Sequence, residues 1–584
     1  MLMKKIMFFF TAAVLLLTAG QVSAQNILVT GTISDASNGE PVPYASIQVK
    51  GTMTGASADA DGNYEVTVSP QGTLIFSFVG YETKEIKVDG RLHINCELKV
   101  DATALDDVIV VAYGTVSREA NTGAVSTLKS EGLAESPATS VDKMLSGKMA
   151  GVQITSGSGQ PGSTSTIRIR GTSSINAGSE PLWVIDGIPV APGDFRQFSN
   201  AGVGGGSSTT FLNPNDIESI TILKDAAAAS VYGSRAANGV ILVTTKTGKK
   251  GASKFTARAK YGVQQLINDR NIHPLTGSEL IDYRRTAAIN AGFNPDDPSS
   301  QYYFTEKLLS NGTTDWYKEL TRQGSVQEYE VNASGGTEKA SYYSSIAYHK
   351  NTGVFYGVDY SRFTARVNAD MQLTRTLKSG VRVNFSYGDS NSGQMGDLYY
   401  SNPTVAMWTI NPWTPFRNDD GSYNTSIPES SNTNPRAVAE YDTYNDKEYR
   451  AQANLYLEWK PIPQLTLKTT DGFEADILDS KQYWDPRSNK GASTLFKIWS
   501  KDLRYTTSNT ITYADKYAGA HDLRITVGQE AMLDTYDYLY GYSPDVDPMM
   551  PYPNTSTAEK DEVQYGISDE SMLSFFGIAD YNYM

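Results

Sequence analysis

The chain has 584 residues, more than one hydrophobic core organises, so several domains are expected. Its 64 acidic side chains against 50 basic ones give a formal net charge of -14, which argues against a nucleic-acid partner, because phosphate binding needs a concentrated basic surface. Tyrosine (36) outnumbers phenylalanine (19) and glycine stands at 50, a composition that suits a β-rich protein with aromatics at boundaries between water and apolar surroundings.

Residues 1–24 read as a signal peptide. Lys4 and Lys5 give a basic start, Ile6 to Thr18 is apolar, and Val22-Ser23-Ala24 is a small-residue cleavage site. No cysteine follows the cleavage point, which speaks against a lipid anchor; the mature chain then begins at Gln25. Cys96 is the single cysteine, so an exported chain has no internal disulfide and depends on size and hydrogen-bonded sheet. Beyond residue 24 no 18-residue uncharged apolar stretch occurs. That excludes membrane-spanning helices but not a membrane β-barrel, whose strands alternate.

Residues 25–100 read as a small β-sandwich. Ile27-Leu28-Val29, Ala45 to Val49, Tyr64 to Val68, Leu74 to Phe78 and Glu85 to Val88 are strand-like, separated by Asn38-Gly39, Lys50-Gly51, Asp61-Gly62, Gln71-Gly72 and Asp89-Gly90. Gly31 to Asp35, Pro41 to Ile47, Asp59 to Tyr64 and Phe78 to Glu82 resemble the carboxypeptidase-regulatory-like module. The resemblance implies a transthyretin-like fold with no catalysis of its own. Asp59-x-Asp61-Gly62 lacks the further oxygen ligands, the sixth-position glycine and the twelfth-position glutamate of a calcium loop, which leaves a hairpin turn. His93, His273, His349 and His521 are the only histidines, and no pair has zinc-ligand spacing, so a zinc carboxypeptidase is dismissed.

Residues 101–114 form a linker, Asp101-Ala102-Thr103-Ala104, followed by Leu105-Asp106-Asp107-Val108-Ile109-Val110-Val111-Ala112-Tyr113-Gly114. Four consecutive β-branched residues favour extended backbone. From the residues alone this is either the first strand of the next domain or a strand edge kept free to recruit another chain.

Residues 115–248 alternate helix and strand signals. Val141 to Met149 reads as a short helix ended by Gly151. Thr166 to Arg170, Leu182 to Ile185, Ile217 to Leu223 and Val240 to Thr245 read as strands, and Asp225 is placed to cap an alanine-rich helix, Ala226 to Ala237. The segments Ile167 to Thr172, Pro181 to Val190, Leu212 to Ile220 and Leu223 through Ile241 resemble the plug domain of TonB-dependent outer-membrane receptors. With the regulatory-like module in front, the chain resembles the SusC/RagA branch.

Two enzyme motifs in this stretch do not survive inspection. Gly157-x-Gly159-x-x-Gly162 encloses Pro161 and leads into a strand instead of the helix a dinucleotide needs. Ser140-x-x-Lys143 with Lys246-Thr247-Gly248 lacks the Ser-Asp-Asn element of a penicillin-binding enzyme.

From residue 249 to 584 the period becomes two. Phe255, Ala257, Ala259 and Tyr261 share one face; Phe363, Ala365, Val367, Ala369 and Met371 alternate with Thr364, Arg366, Asn368 and Asp370. Val381, Val383, Phe385 and Tyr387, and then Ala453, Leu455, Leu457 and Trp459, repeat the pattern. It fits a soluble sheet with one wet face or a membrane barrel. The uncharged apolar faces, aromatic strand ends and long polar segments 265–320 and 389–447 favour the barrel, with those segments as extracellular loops. His349 to Gly353 and Pro461-Ile462-Pro463 are expected to be periplasmic turns. Tyr399, Tyr400, Trp408, Trp413 and the tyrosines of 537–543 either stack on sugar rings or pack the rim, with rim packing favoured. About ten strands are countable against about 22 in plugged transporters of this kind, so the chain reads as C-terminally truncated.

The expected fold class is therefore mainly β: a transthyretin-like sandwich, a mixed α/β plug, and the first part of a large antiparallel transmembrane barrel. The resemblance implies a multi-pass outer-membrane protein with its N-terminal domain in the periplasm, importing a glycan or peptide without any catalytic site, cofactor or metal. Its implied partners are TonB with its proton-driven complex, a SusD-like surface lipoprotein and outer-membrane lipid. Asp106, Asp107, Val108, Ile109, Val110, Val111, Ala112 and Tyr113 stand where such a receptor has its TonB box, so strand addition by TonB is expected there. A signal-transducing receptor and a surface adhesin are the alternatives.

Overall fold

The computed structural model describes residues 26–99, 108–111, 114–117 and 124–583, apart from short internal stretches, the longest being 131–139, 173–177, 191–208, 268–273, 394–401, 428–432 and 554–560. The expected signal peptide lies outside the described residues.

The first unit is a sandwich of two sheets. β1 (Ile27–Asp35), β2 (Ser46–Val49), β3 (Gly55–Ser57), β4 (Asn63–Val68), β5 (Thr73–Ser77), β6 (Lys84–Lys87) and β7 (Cys96–Leu98) sort into the orders β4-β1-β7 and β3-β2-β5-β6. Strict alternation drives the packing: in β4, Tyr64, Val66 and Val68 are buried while Asn63, Glu65 and Thr67 face water. Val29, Ile33, Ile47, Leu74, Phe76 and Leu98 fill the space between the sheets. β3 and β7 escape sequence reading because three residues are too few to show a period. Asp59 is the expected turn: its Oδ1 accepts from the amides of Asp61 at 3.0 Å and Asn63 at 2.8 Å.

β8 (Val108–Val111) and β9 (Gly114–Ser117) form a two-stranded sheet. The plug follows, with β10 (Val125–Lys129), β11 (Val152–Ser156), β12 (Ser165–Ile169), β13 (Leu182–Ile185), β14 (Ile188–Pro189), β15 (Ile217–Leu223) and β16 (Val240–Thr245). A five-stranded sheet runs β10-β15-β16-β13-β14, and β11 pairs with β12. Leu212, Ile217, Ile220, Ile222, Ile241 and Val243 form its core with Val141 of the short helix Val141–Met144 and with Leu145 just after it.

The alanine-rich helix differs from expectation. Residues 226–228 lie outside the described residues, and Ser230–Ala236 is a 3-10 segment broken at Gly233, where φ is 66°. The cap expected from Asp225 would fall on the amides of 226–228 and so lies outside the described residues. The Asp225 carboxylate accepts from the Ala124 amide at 2.5 Å and pairs with Arg170, and these two contacts hold its pKa below the usual carboxylate range.

Ten long strands complete the chain: β17 (Gly251–Gln264), β18 (Gly324–Gly336), β19 (Ala340–Thr352), β20 (Asp359–Gln372), β21 (Leu377–Asn391), β22 (Thr443–Ile462), β23 (Leu465–Trp484), β24 (Thr494–Tyr517), β25 (His521–Pro544) and β26 (Glu562–Tyr583). They form one antiparallel sheet in sequence order. The connections at one end are long, 265–323 and 392–442 among them; at the other end 337–339, 373–376 and 463–464 are tight. Pro461 to Pro463 thus sits at the tight end as expected. His349 to Gly353 does not: β19 runs on through Thr352, and its turn, 353–358, lies at the long-loop end.

The sheet is polar inside and apolar outside. In β20, Thr364, Arg366 and Asn368 are buried, whereas Phe363, Val367 and Met371 are exposed. In β22, Arg450, Gln452 and Asn454 are buried, and Leu455, Leu457 and Trp459 are exposed. A water-soluble sheet has the opposite arrangement, so the outer face is built for an apolar solvent. Among the described residues no helix is long and apolar enough to cross a membrane.

The two long loops fold together. Asn-Pro dipeptides open two of their helices, Pro403–Thr409 and Pro435–Tyr441, with the Asn402 and Asn434 side chains accepting from the Thr404 and Arg436 amides, both at 2.9 Å. Trp316, Leu320, Ala406, Ile410 and Ile427 make a core shared between the loops. Trp413 is buried against Phe304, with the Arg284 guanidinium 4.9 Å from its ring centre, and Phe496 packs on Tyr542 at 5.1 Å. Rim packing accounts for both; Tyr399 and Tyr400 lie outside the described residues.

Candidate functional site: the seat of the plug

Of the residues expected to meet TonB, Asp106, Asp107, Ala112 and Tyr113 lie outside the described residues. Val108, Ile109, Val110 and Val111 are extended, as their β-branching dictates, and β9 occupies one of their two edges. The chain then enters β10, which is itself an edge strand of the plug sheet, held by pairing from Val125↔Leu223 to Lys129↔Ser219.

The plug is gripped by the inner face of the wall through a buried ionic seat. Asp186 and Gly187 form the two-residue hairpin between β13 and β14, both with positive φ (49° and 89°), as a tight primed turn requires. Asp186 accepts from the Thr245 amide at 2.9 Å and the Thr245 hydroxyl at 2.7 Å. Asp216 ends the 3-10 turn Pro214–Asp216, which Asn213 opens by accepting from the Asn215 amide at 3.1 Å. Tyr343 of the wall donates to Asp216 at 2.8 Å. Between the two carboxylates lies Arg366 of β20, with a side chain only 1% exposed, 3.6 Å from Asp186 and 3.5 Å from Asp216.

The contacts continue around this pair. Asn368 donates to the Thr245 hydroxyl at 2.8 Å and the Lys246 carbonyl at 2.7 Å, and Asn215 donates to Glu328 at 2.5 Å. Further along the wall, Arg235 of the plug pairs with Glu530 of β25, and the Arg450 guanidinium lies 4.5 Å from the Phe211 ring centre. Gln160 donates to the Ser392 carbonyl at 3.0 Å. Gly472 of β23 is a close-approach glycine: a Cβ there would stand 2.8 Å from Ile188.

Chemically this is a lock and not a reaction centre. Charges so far from water persist only because each meets an opposite charge or a donor. Among the described residues no cluster of three or more histidine, cysteine or acidic side chains is arranged to hold a metal. Sequence reading placed Arg366 and Asn368 on the polar face of their strand but could not find their partners, which lie 120 or more residues away on other elements. The available signal was the Asp-Gly and Asn-Pro-Asn-Asp turns, which combine tight backbone with carboxylates.

Residues 117–240 match the family described as TonB-dependent Receptor Plug Domain, and residues 29–110 match the CarboxypepD_reg-like domain. The TonB-dependent receptor SusC of Bacteroides thetaiotaomicron is 33% identical over 561 residues, covering 90% of this chain and 53% of the relative. A TonB-dependent receptor of Formosa agariphila is 36% identical over 462 residues, or 78% of this chain and 43% of the relative. Among solved structures, the RagAB peptide importer in its open-open state superimposes with a TM-score of 0.71 at 24% identity, covering 82% of this chain and 55% of that one. The chain thus spans about half the length of the curated relatives it matches. A sandwich of the regulatory-like type, a plug and a sheet that is polar within and apolar without therefore occur in one order and with one set of relatives: the chain belongs to the SusC/RagA type of TonB-dependent receptors, a family of transport proteins and not of enzymes.

Proposed function

We propose that this chain takes part in TonB-dependent import of a nutrient, a glycan or a peptide, across the bacterial outer membrane, together with a SusD-like surface lipoprotein. The observation that carries the reading is the inverted wall. Exposed Val383, Phe385, Leu455 and Leu457 suit lipid, and buried Arg366, Asn368 and Arg450 suit a lumen filled by the plug. In this reading the loop cap is the extracellular end and the tight turns face the periplasm.

In this reading TonB adds a strand to Asp106–Tyr113, taking the edge of Val108–Val111 that β9 leaves or displacing β9. Main-chain hydrogen bonds carry the pull into β10. Because β10 is a five-residue edge strand, its ladder to β15 is the first part of the plug sheet to bear the load. Release of the seat around Arg366 then opens a path past the wall. Uptake of the nutrient on which a deletion strain fails to grow, measured with and without TonB, tests the proposal. Complete dependence on TonB is expected; unchanged uptake without it removes the reading and leaves adhesion, while ligand-dependent transcription lost on deleting residues 25–100 would mark a transducer.

A further inference from the structure

At the loop end of the wall, the 353–358 turn, the helix Pro435–Tyr441 and the start of β22 enclose a cavity of about 380 Å³. Gly357, with φ of 77°, lets the turn close on that helix: a Cβ there would stand 3.1 Å from the Ala439 side chain. Two guanidiniums lie on Tyr356, Arg436 at 3.1 Å and Arg322 at 5.3 Å from the ring centre. They differ in what they do. Arg322 donates to the carbonyls of Gly353 at 3.1 Å and Val358 at 3.3 Å and to Asp359 at 2.9 Å.

Arg436 has no such set. Its Nη1 is buried and, among the described residues, donates to no acceptor. The carboxylate of Glu440 stands 4.0 Å from Nη2 and already accepts from the Tyr423 hydroxyl at 2.5 Å. Asp442 is likewise engaged, by the Asp485 amide at 2.9 Å and the Ser488 hydroxyl. The acids of the cavity are supplied with donors, whereas one nitrogen of the Arg436 guanidinium meets no acceptor among the described residues.

A guanidinium does not shed its proton in a protein, and a buried donor left unmet is costly. A hydroxyl or a carboxylate would relieve that cost, and the carboxylate does so with charge-assisted bonds about twice as strong. We propose that this cavity is a substrate subsite for a carboxylate-bearing end of the cargo, with Arg436 as the residue that binds it. The inference rests on the import reading above. The same carboxylate occurs at the C-terminus of an oligopeptide and on an oligouronide. The cavity is lined by Asn391 and Gly393, on either side of the Ser392 carbonyl that holds Gln160 of the plug, so an occupant would lie beside the residue that holds the plug.

The test is titration calorimetry on the receptor purified in detergent, with N-acetyl-tetraalanine against its C-terminal amide and trigalacturonate against its methyl ester. One acid is expected to bind about tenfold more tightly than its neutral partner, with Arg436→Gln bringing the two within about twofold and Arg436→Lys keeping part of the difference. Which pair discriminates identifies the source of the carboxylate. The proposal is overturned if the unaltered receptor discriminates in neither pair, absence of binding included, or if Arg436→Gln keeps the preference. Uptake by the same variants separates the two failures: TonB-dependent uptake without acid preference removes the subsite alone, whereas TonB-independent uptake removes the import reading.

Discussion

At the residue scale the seat around Arg366 is the most consequential feature. Arg366→Met leaves Asp186 and Asp216 facing each other without their common cation, and breaking a buried pair from one side typically costs about 3–5 kcal/mol. Amide exchange in Ile217–Leu223 and Val240–Thr245 should accelerate accordingly, and adding Asp216→Asn should restore part of the protection. Unchanged exchange in the single variant would show that the pair does not hold the plug. A second residue carries a pH dependence. Burial pushes the Asp442 carboxyl up to about 7, with the Asp485 charge adding to the rise and the Ser488 hydroxyl, Asp485 amide and Arg487 opposing it. The folded loop therefore binds a proton that the unfolded chain gives up near 3.8. Its stability is highest at low pH, falls as pH rises between those values, and has lost this contribution above about 7. The protection factor of the Ser488 amide, its exchange rate corrected for the intrinsic base-catalysed rate, should fall from pH 5 to pH 8, and Asp442→Asn should flatten that fall; a fall that persists in the variant would assign the dependence to another group.

At the scale of elements, β8 is where an expectation and its test meet. Proline at Ile109 or Val110 removes a ladder donor and fixes φ. It should abolish uptake while leaving ligand binding intact, and normal transport by both variants would make Val108–Val111 an ordinary strand. The strands β17, β20, β21 and β22 were legible because each repeats its apolar residues with period two over seven or more positions, as in Phe363 to Met371. The loop cap was not. Residues 265–323 and 392–442 look polar in sequence, and the core of Trp316, Leu320, Ala406, Ile410 and Ile427 is assembled from single apolar residues spaced far apart. The turn after β19 lies beyond the expected one for a related reason: polar His349 to Thr352 resembles a turn, yet His349 and Asn351 are buried on the inner face, where a barrel wall is polar, and exposed Lys350 falls on the outer face near the strand end.

For the whole molecule, the sandwich stands as a compact unit with its own core, distinct from the plug and wall. Residues 26–99 made alone should unfold in one cooperative denaturant transition, with a stability of roughly 4–10 kcal/mol for a domain of this size. A broad, non-cooperative loss of structure would show that the unit needs the rest of the chain. The sequence by itself determined the order of sandwich, plug and wall, and the strand periods within each, because alternation, turn residues and β-branching act over a few neighbouring positions. Only the tertiary structure decided which face of the wall is buried, which wall side chains meet Asp186 and Asp216, and that Nη1 of Arg436, on a residue lining a cavity, meets no acceptor among the described residues. Those facts depend on segments up to several hundred residues apart coming within a few ångströms, a relation that no local pattern encodes.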